Sequence, residues 1–164
     1  MPINIEFNAR PIYDLLGSAS KALGDLTPVH EDIGEYVAIA TRDRFRRGEA
    51  PDGAAWAPKK PSTIARYLAA GDGARPDPLI GPSRRLSTEI ASIATRDSVE
   101  IGSALEYSAV MQLGAAQGAF GRNSRGGPIP WGNIPARVWL GLSDSDERTI
   151  IDIVDEHLGD TIGE

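Results

Sequence analysis

An α+β fold follows from three features of the sequence. Apolar residues recur at helical spacing in several stretches, two short stretches alternate at the period of a strand, and no regular strand–helix alternation or phosphate-loop fingerprint marks a doubly wound sheet. The expected architecture is a small β-sheet packed with several helices, with a long, mobile glycine-rich loop or arm at about 114–134. One domain spanning 1–164 fits a chain of 164 residues.

The elements are expected in the following order. PINIEF alternates, with Ile3, Ile5 and Phe7 on one side, and reads as a half-buried strand; a short helix follows from Pro11 to about Leu23. The stretch from Leu26 to Gly48 carries helix punctuation throughout. Thr27 serves as N-cap, Pro28 takes the first helical position, Glu31 and Asp32 face the positive end, Arg46 and Arg47 the negative end, and Gly48 stops it. Its apolar face is Ile33, Tyr36, Val37 and Ala40. Residues 49–61 are too rich in Pro and Gly for a regular element, yet hold Trp56, which pins the loop to a core or a partner. STIARYLAAG reads as a short helix closed by Gly71. SRRLSTEIASIAT reads as a helix with Leu86, Ile90 and Ile93 on one face, and SVEIGS as a strand with Val99 and Ile101 inward. ALEYSAVMQLG is helix-compatible up to Gly114. Beyond the arm, ARVWLGLS is expected as a strand, and SDSDERTIIDIVDEHLG as a terminal helix capped by Ser143 or Asp144, with Ile150, Ile151, Val154 and Leu158 inward.

Composition narrows the chemistry. The 41% hydrophobic and 24% charged residues are a globular balance, while 18 Gly and 12 Pro imply long irregular connections. The absence of cysteine excludes disulfide scaffolds, thiolate metal sites and cysteine nucleophiles. No window approaches 18 apolar residues and no secretory signal opens the chain, so a soluble protein made in the cytoplasm, with no membrane partner, is expected. Residues 143–164 hold eight acids against the single base Arg148, which outweighs the net charge of −6 and leaves the rest near neutral. An acidic face of this kind suits a basic partner or a neighbouring subunit better than general DNA binding.

Searches for catalytic patterns find little. His30 and His157 sit among charged helix neighbours and read as solvated; neither H-E-x-x-H nor G-x-S-x-G occurs. Asp144 and Asp146 have a D-x-D spacing that could meet a hard cation, but at a helix start they read as capping groups. Gly118, Gly121, Gly126 and Gly127 lack the G-K-[ST] of a Walker loop and read as an arm. No catalytic residue, metal or cofactor is assigned. Arg42, Arg44, Arg46 and Arg47, with Lys59 and Lys60, form the densest basic region. It is either a solvated helix end or an acceptor for the acidic terminal helix of another copy.

Four stretches in order resemble the phage virion morphogenesis family, the tail-completion proteins of Mu-like and related contractile-tailed phages. They are RFRRGEAPDGAAWAP (44–58) with Thr63, LIGPSRRLSTEIAS (79–92), VEIGSALEYSAVMQLGA (99–115) and IPARVWLGLSDSD (134–146). The chain departs from that pattern where Val138 precedes Trp139 and where 69–78 is expanded. The resemblance implies a non-enzymatic structural protein of the virion tail or neck, assembled in the host cytoplasm. It would complete the tail end for head joining as an oligomeric ring, touching the tail tube or terminator and the head–tail connector. A head-side connector or capsid-assembly factor is the alternative; a small phage hydrolase or a DNA-binding module ranks below both. The candidate assembly interface comprises Trp56, Phe120, Ile129, Trp131, Arg137 and Trp139. Arg122 and Arg125 join it and are also the candidates for direct DNA contact.

Overall fold

The computed structural model describes Arg10, Ile12, Leu16 and residues 24–162. The expected strand at PINIEF lies outside the described residues, as does most of the helix expected after Pro11, from which Ile12 and Leu16 are helical and buried.

The architecture is α+β, organised on one long helix, α1 (Thr27–Arg47). Its buried positions include Val29, His30, Ile33, Val37, Thr41 and Phe45, an i, i+3/i+4 stripe that turns one face of the helix inward. The start is one residue earlier than the sequence suggests. Leu26 is the N-cap with no side-chain cap, and Asp25 instead accepts hydrogen bonds from the Thr27 amide (2.9 Å) and hydroxyl (2.7 Å). At the other end Gly48, with φ 71°, takes the left-handed conformation and donates its amide to the Arg44 carbonyl. Residues 49–56 then double back, pairing Glu49 with Ala55, and deliver Trp56 into the core.

Helix α2 (Pro61–Ala69) has no buried residue and lies on the surface. The helix expected over 83–95 is instead one turn, α3 (Arg85–Thr88), followed by β1 (Ala91–Ala94), which pairs antiparallel with β2 (Val99–Gly102). Leu86 and Ile90 are buried as the spacing implied, but Ile93 is 65% exposed on the hairpin. The Thr95–Ser98 turn decides the matter: Thr95 N donates to Ser98 O at 2.8 Å, and Thr95 Oγ1 accepts the Ser98 amide at 3.1 Å. The hairpin closes tightly on α1 at Gly34, where a Cβ would come within 2.8 Å of Ser92 Cβ. His30, expected in solvent, is 2% exposed, its Nδ1 paired with the Thr95 carbonyl at 2.7 Å.

Helices α4 (Ser108–Leu113) and α5 (Asp144–Ile162) complete the set. Between the arm and α5, residues 136–143 form no strand, contrary to the alternation in ARVWLGLS. A side chain takes the place of a neighbouring strand. Gln112 Oε1 accepts from the amides of Trp139 (2.9 Å) and Leu140 (3.1 Å), and Gln112 Nε2 donates to Leu140 O (2.9 Å). These bonds satisfy backbone groups that burial would otherwise leave unpaired.

Two apolar clusters share α1. One joins Val29, Ile33 and Val37 to Ile150 and Val154 of α5. The other gathers Phe45, Trp56, Trp139, Leu86 and Ile90, with Phe45 edge-on to Trp56 at 5.2 Å between ring centroids.

Candidate assembly surface

The arm leaves α4 at Gly114, whose φ of 74° and crowding against the backbone of Ile134 and Ala136 (2.7 Å from a Cβ) demand glycine. It then folds back on itself. Ala115 and Ile134 exchange backbone hydrogen bonds (2.9 and 2.8 Å), Phe120 N donates to Ile129 O (2.8 Å), and Ile129 N to Gly121 O (2.8 Å). Asn123 closes the tip by accepting the amides of Arg125 and Gly127 on Oδ1, while Gln117 and Asn133 brace the root. The glycine-rich stretch is therefore an irregular hairpin rather than an unpaired loop.

Its outer surface is unusually apolar. Trp131 is 79% exposed, Phe120 55%, Ile129 38%, and Leu113 beside the root 72%. Arg122 and Arg125 are also exposed near the tip; the Arg122 guanidinium donates to Gly126 O at 2.8 Å. The five candidate interface residues of the arm thus share one hairpin.

The other three do not join them. Trp139 is fully buried and donates its Nε1–H to Ser108 O at 3.2 Å; Trp56 is buried and donates to Val138 O at 2.8 Å. Arg137 is 8% exposed, with Nε donating to Ala57 O (2.7 Å) and Nη2 to Pro58 O (3.1 Å). Burial lowers its pKa, yet a guanidinium stays charged at any ordinary pH. Trp56 and Arg137 fasten the 56–58 loop to the 137–139 segment, Trp139 fastens that segment to α4, and burial leaves the three with little surface for a neighbour. Sequence could not separate them from Trp131, because a tryptophan among Pro and Gly suits either role. Leu113 was missed, although an apolar residue one position before a helix-stopping glycine was a usable signal.

Asp146 of the D-x-D pair has a structural use. Ser143 and Asp146 form a capping box at the start of α5: Ser143 Oγ accepts the Asp146 amide (3.2 Å), and Asp146 Oδ2 accepts the Ser143 amide (2.7 Å). Asp146 is buried and also pairs with Arg44, while Tyr36 donates its hydroxyl to Oδ1 at 3.0 Å. Burial alone would raise the Asp146 pKa, but the Ser143 hydrogen bonds, the Arg44 charge and the Tyr36 hydroxyl outweigh it and hold the carboxyl below its ordinary value. Arg44, expected in a solvated helix end, is 3% exposed and also donates to Gly141 O at 2.7 Å. Among the described residues, no three carboxylates or imidazoles stand together as a metal site.

A family model described as the phage virion morphogenesis family matches residues 7–159. The chain belongs to the phage virion morphogenesis family. Membership assigns the protein to phage virion assembly, and the match takes in both the buried frame and the hairpin arm. No curated protein and no solved structure matches the chain significantly. Among the described residues of this virion morphogenesis protein, no helix is long and apolar enough to cross a membrane.

Proposed function

We propose that this protein completes the tail end of a phage particle and prepares it for head joining, as a structural ring component and not an enzyme. The hairpin arm docks on a neighbouring copy or on the tail tube. One observation carries this reading: a chain of a virion assembly family holds Trp131 and Phe120 in water on a hydrogen-bonded hairpin, with Leu113 exposed beside its root. Covering a tryptophan buries about 150–250 Å². At about 25 cal/mol per Å², this is a gross gain of about 4–6 kcal/mol before the costs of association. Exposed apolar area on that scale has a use only when something covers it.

The test is tail assembly with Trp131→Ser and Phe120→Ser. The variant protein folds normally, tails reach normal length, and their joining to filled heads fails. Defective capsids would transfer the role to the head side, and normal joining would refute the docking arm.

A further inference from the structure

A groove of about 980 Å³ opens between α2, the 79–86 segment and the root of the arm. Six cations line it: Lys59, Lys60, Arg66, Arg84, Arg85 and Arg137; no carboxylate does. Three of them are committed within the chain. Lys59 holds the carbonyls of Arg75 (2.7 Å) and Ile80 (2.5 Å), with burial lowering its pKa and Asp77 partly offsetting that. Arg85 pairs with Glu89, and Arg137 holds Ala57 and Pro58. The other three are exposed, and among the described residues none pairs with a carboxylate. Lys60 reaches only the Asn133 carbonyl (3.2 Å), and Arg66 lies over the Tyr67 ring at 5.9 Å. Tyr67, Tyr107, Met111, Trp131 and Ile134 supply apolar walls. Leu79 (φ 60°) and Arg84 (φ 55°) shape one rim in the left-handed region, a conformation that a side chain adopts only under local constraint.

The same chain carries the complement. The exposed side of α5 presents Asp144, Glu147, Asp152, Asp155 and Glu156 against Arg148 alone. Asp32 of α1 accepts from His157 of α5 at 2.7 Å, which sets the exposed acids Glu31, Asp32 and Glu35 next to the acidic end of α5. The groove is built from α2, the 79–86 segment and the arm root, the acidic face from α5 and the start of α1, and among the described residues no ion pair joins the two.

Resting on the ring reading above, we propose that the groove seats the acidic face of α5 from a second copy, and that this head-to-tail contact closes the ring. Such heterologous contacts form rings when their rotation closes. The net charge of −6 disfavours a nucleic-acid occupant, since three uncommitted cations in a negative field make a small phosphate footprint. Charge complementarity of this kind sets partner orientation and register.

The experiment compares three full-length chains by sedimentation and light scattering, alone and with purified tails. They are a groove reversal (Lys60→Glu, Arg66→Glu, Arg84→Glu), a helix reversal (Asp152→Lys, Asp155→Lys, Glu156→Lys), and both reversals together. Circular dichroism checks the fold of each. Each single reversal is expected to weaken self-association on the order of a hundredfold, and the combined chain to recover most of it. Wild-type association should also weaken as salt rises to about 1 M, where screening acts over about 3 Å. If wild-type chains form rings but neither reversal weakens them, or the combined chain stays dissociated, the contact is wrong while the ring reading stands. If the groove reversal abolishes binding of a single-stranded DNA probe and leaves rings intact, the groove is a nucleic-acid site and the proposal fails. A wild-type chain that stays monomeric even on tails removes the ring reading and this contact together.

Discussion

Replacing Asp146 by asparagine isolates the device that fastens α5 to α1. The substitution keeps the side chain's size but removes the charge that faces Arg44, and both side chains are almost fully buried at 6% and 3% exposure. Arg44 would keep its bond to Gly141 O and lose its counter-charge in a site that water does not reach. Breaking a buried pair by removing one partner costs about 3–5 kcal/mol. For a chain of this size, each kcal/mol lowers Tm by about 2–4 °C, so Asp146→Asn should melt roughly 6 to 20 °C below wild type. The pH dependence adds a check with a definite sign. Asp146 is held below its ordinary pKa, so its stabilisation is complete above the unfolded value near 4 and is lost as pH falls through the lower folded value. Wild type should therefore lose stability across that acid range more steeply than Asp146→Asn. Thermal and urea unfolding monitored by circular dichroism measures both effects. A loss below about 1 kcal/mol, with equal acid slopes, would show that the buried pair does not hold the helices together.

Four further substitutions separate frame from surface. Trp139→Ala empties a fully buried site and should cost about 3–5 kcal/mol in urea unfolding, whereas Trp131→Ala, at an exposed site, should stay within about 0.5 kcal/mol. Gln112→Leu strands the amides of Trp139 and Leu140 and the Leu140 carbonyl; at about 1–3 kcal/mol for each unpaired group, it should cost about 3 kcal/mol or more. Gly34→Ala would add about 1 kcal/mol at an open helix site. Here the contact with Ser92 should reverse the sign and cost about 1–2 kcal/mol, read from the urea midpoint.

Local signals in the sequence located the long elements well. α1 and α5 carry apolar residues at helical spacing and strong end signals, and Ser143 caps α5 as expected. Where an element depends on distant partners, sequence gave less. ASIA has no intrinsic reason to leave a helix until the Thr95–Ser98 turn pairs it with VEIG. ARVWLGLS alternates like a strand, yet its pairing partner is the Gln112 side chain, a contact across 28 positions that no local pattern announces. Charge was the least legible. Arg44 and His30 look solvated by their neighbours and are buried because Asp146 and Thr95 meet them from elements far along the chain. The arm showed both sides of this: its glycines marked it as an irregular arm without a regular period, while its internal pairing emerged only from the fold. The basic groove was seen only in part: Lys59 and Lys60 were grouped with the arginines of α1, whereas the fold sets them with Arg66 of α2 and Arg84 from a separate stretch.

The proposed role at the tail end is tested most directly by complementation. Tails produced without this protein should have normal length and accumulate beside filled, unjoined heads, and adding the purified wild-type protein should restore joined particles. Malformed or empty heads, or joined particles in its absence, would contradict that role.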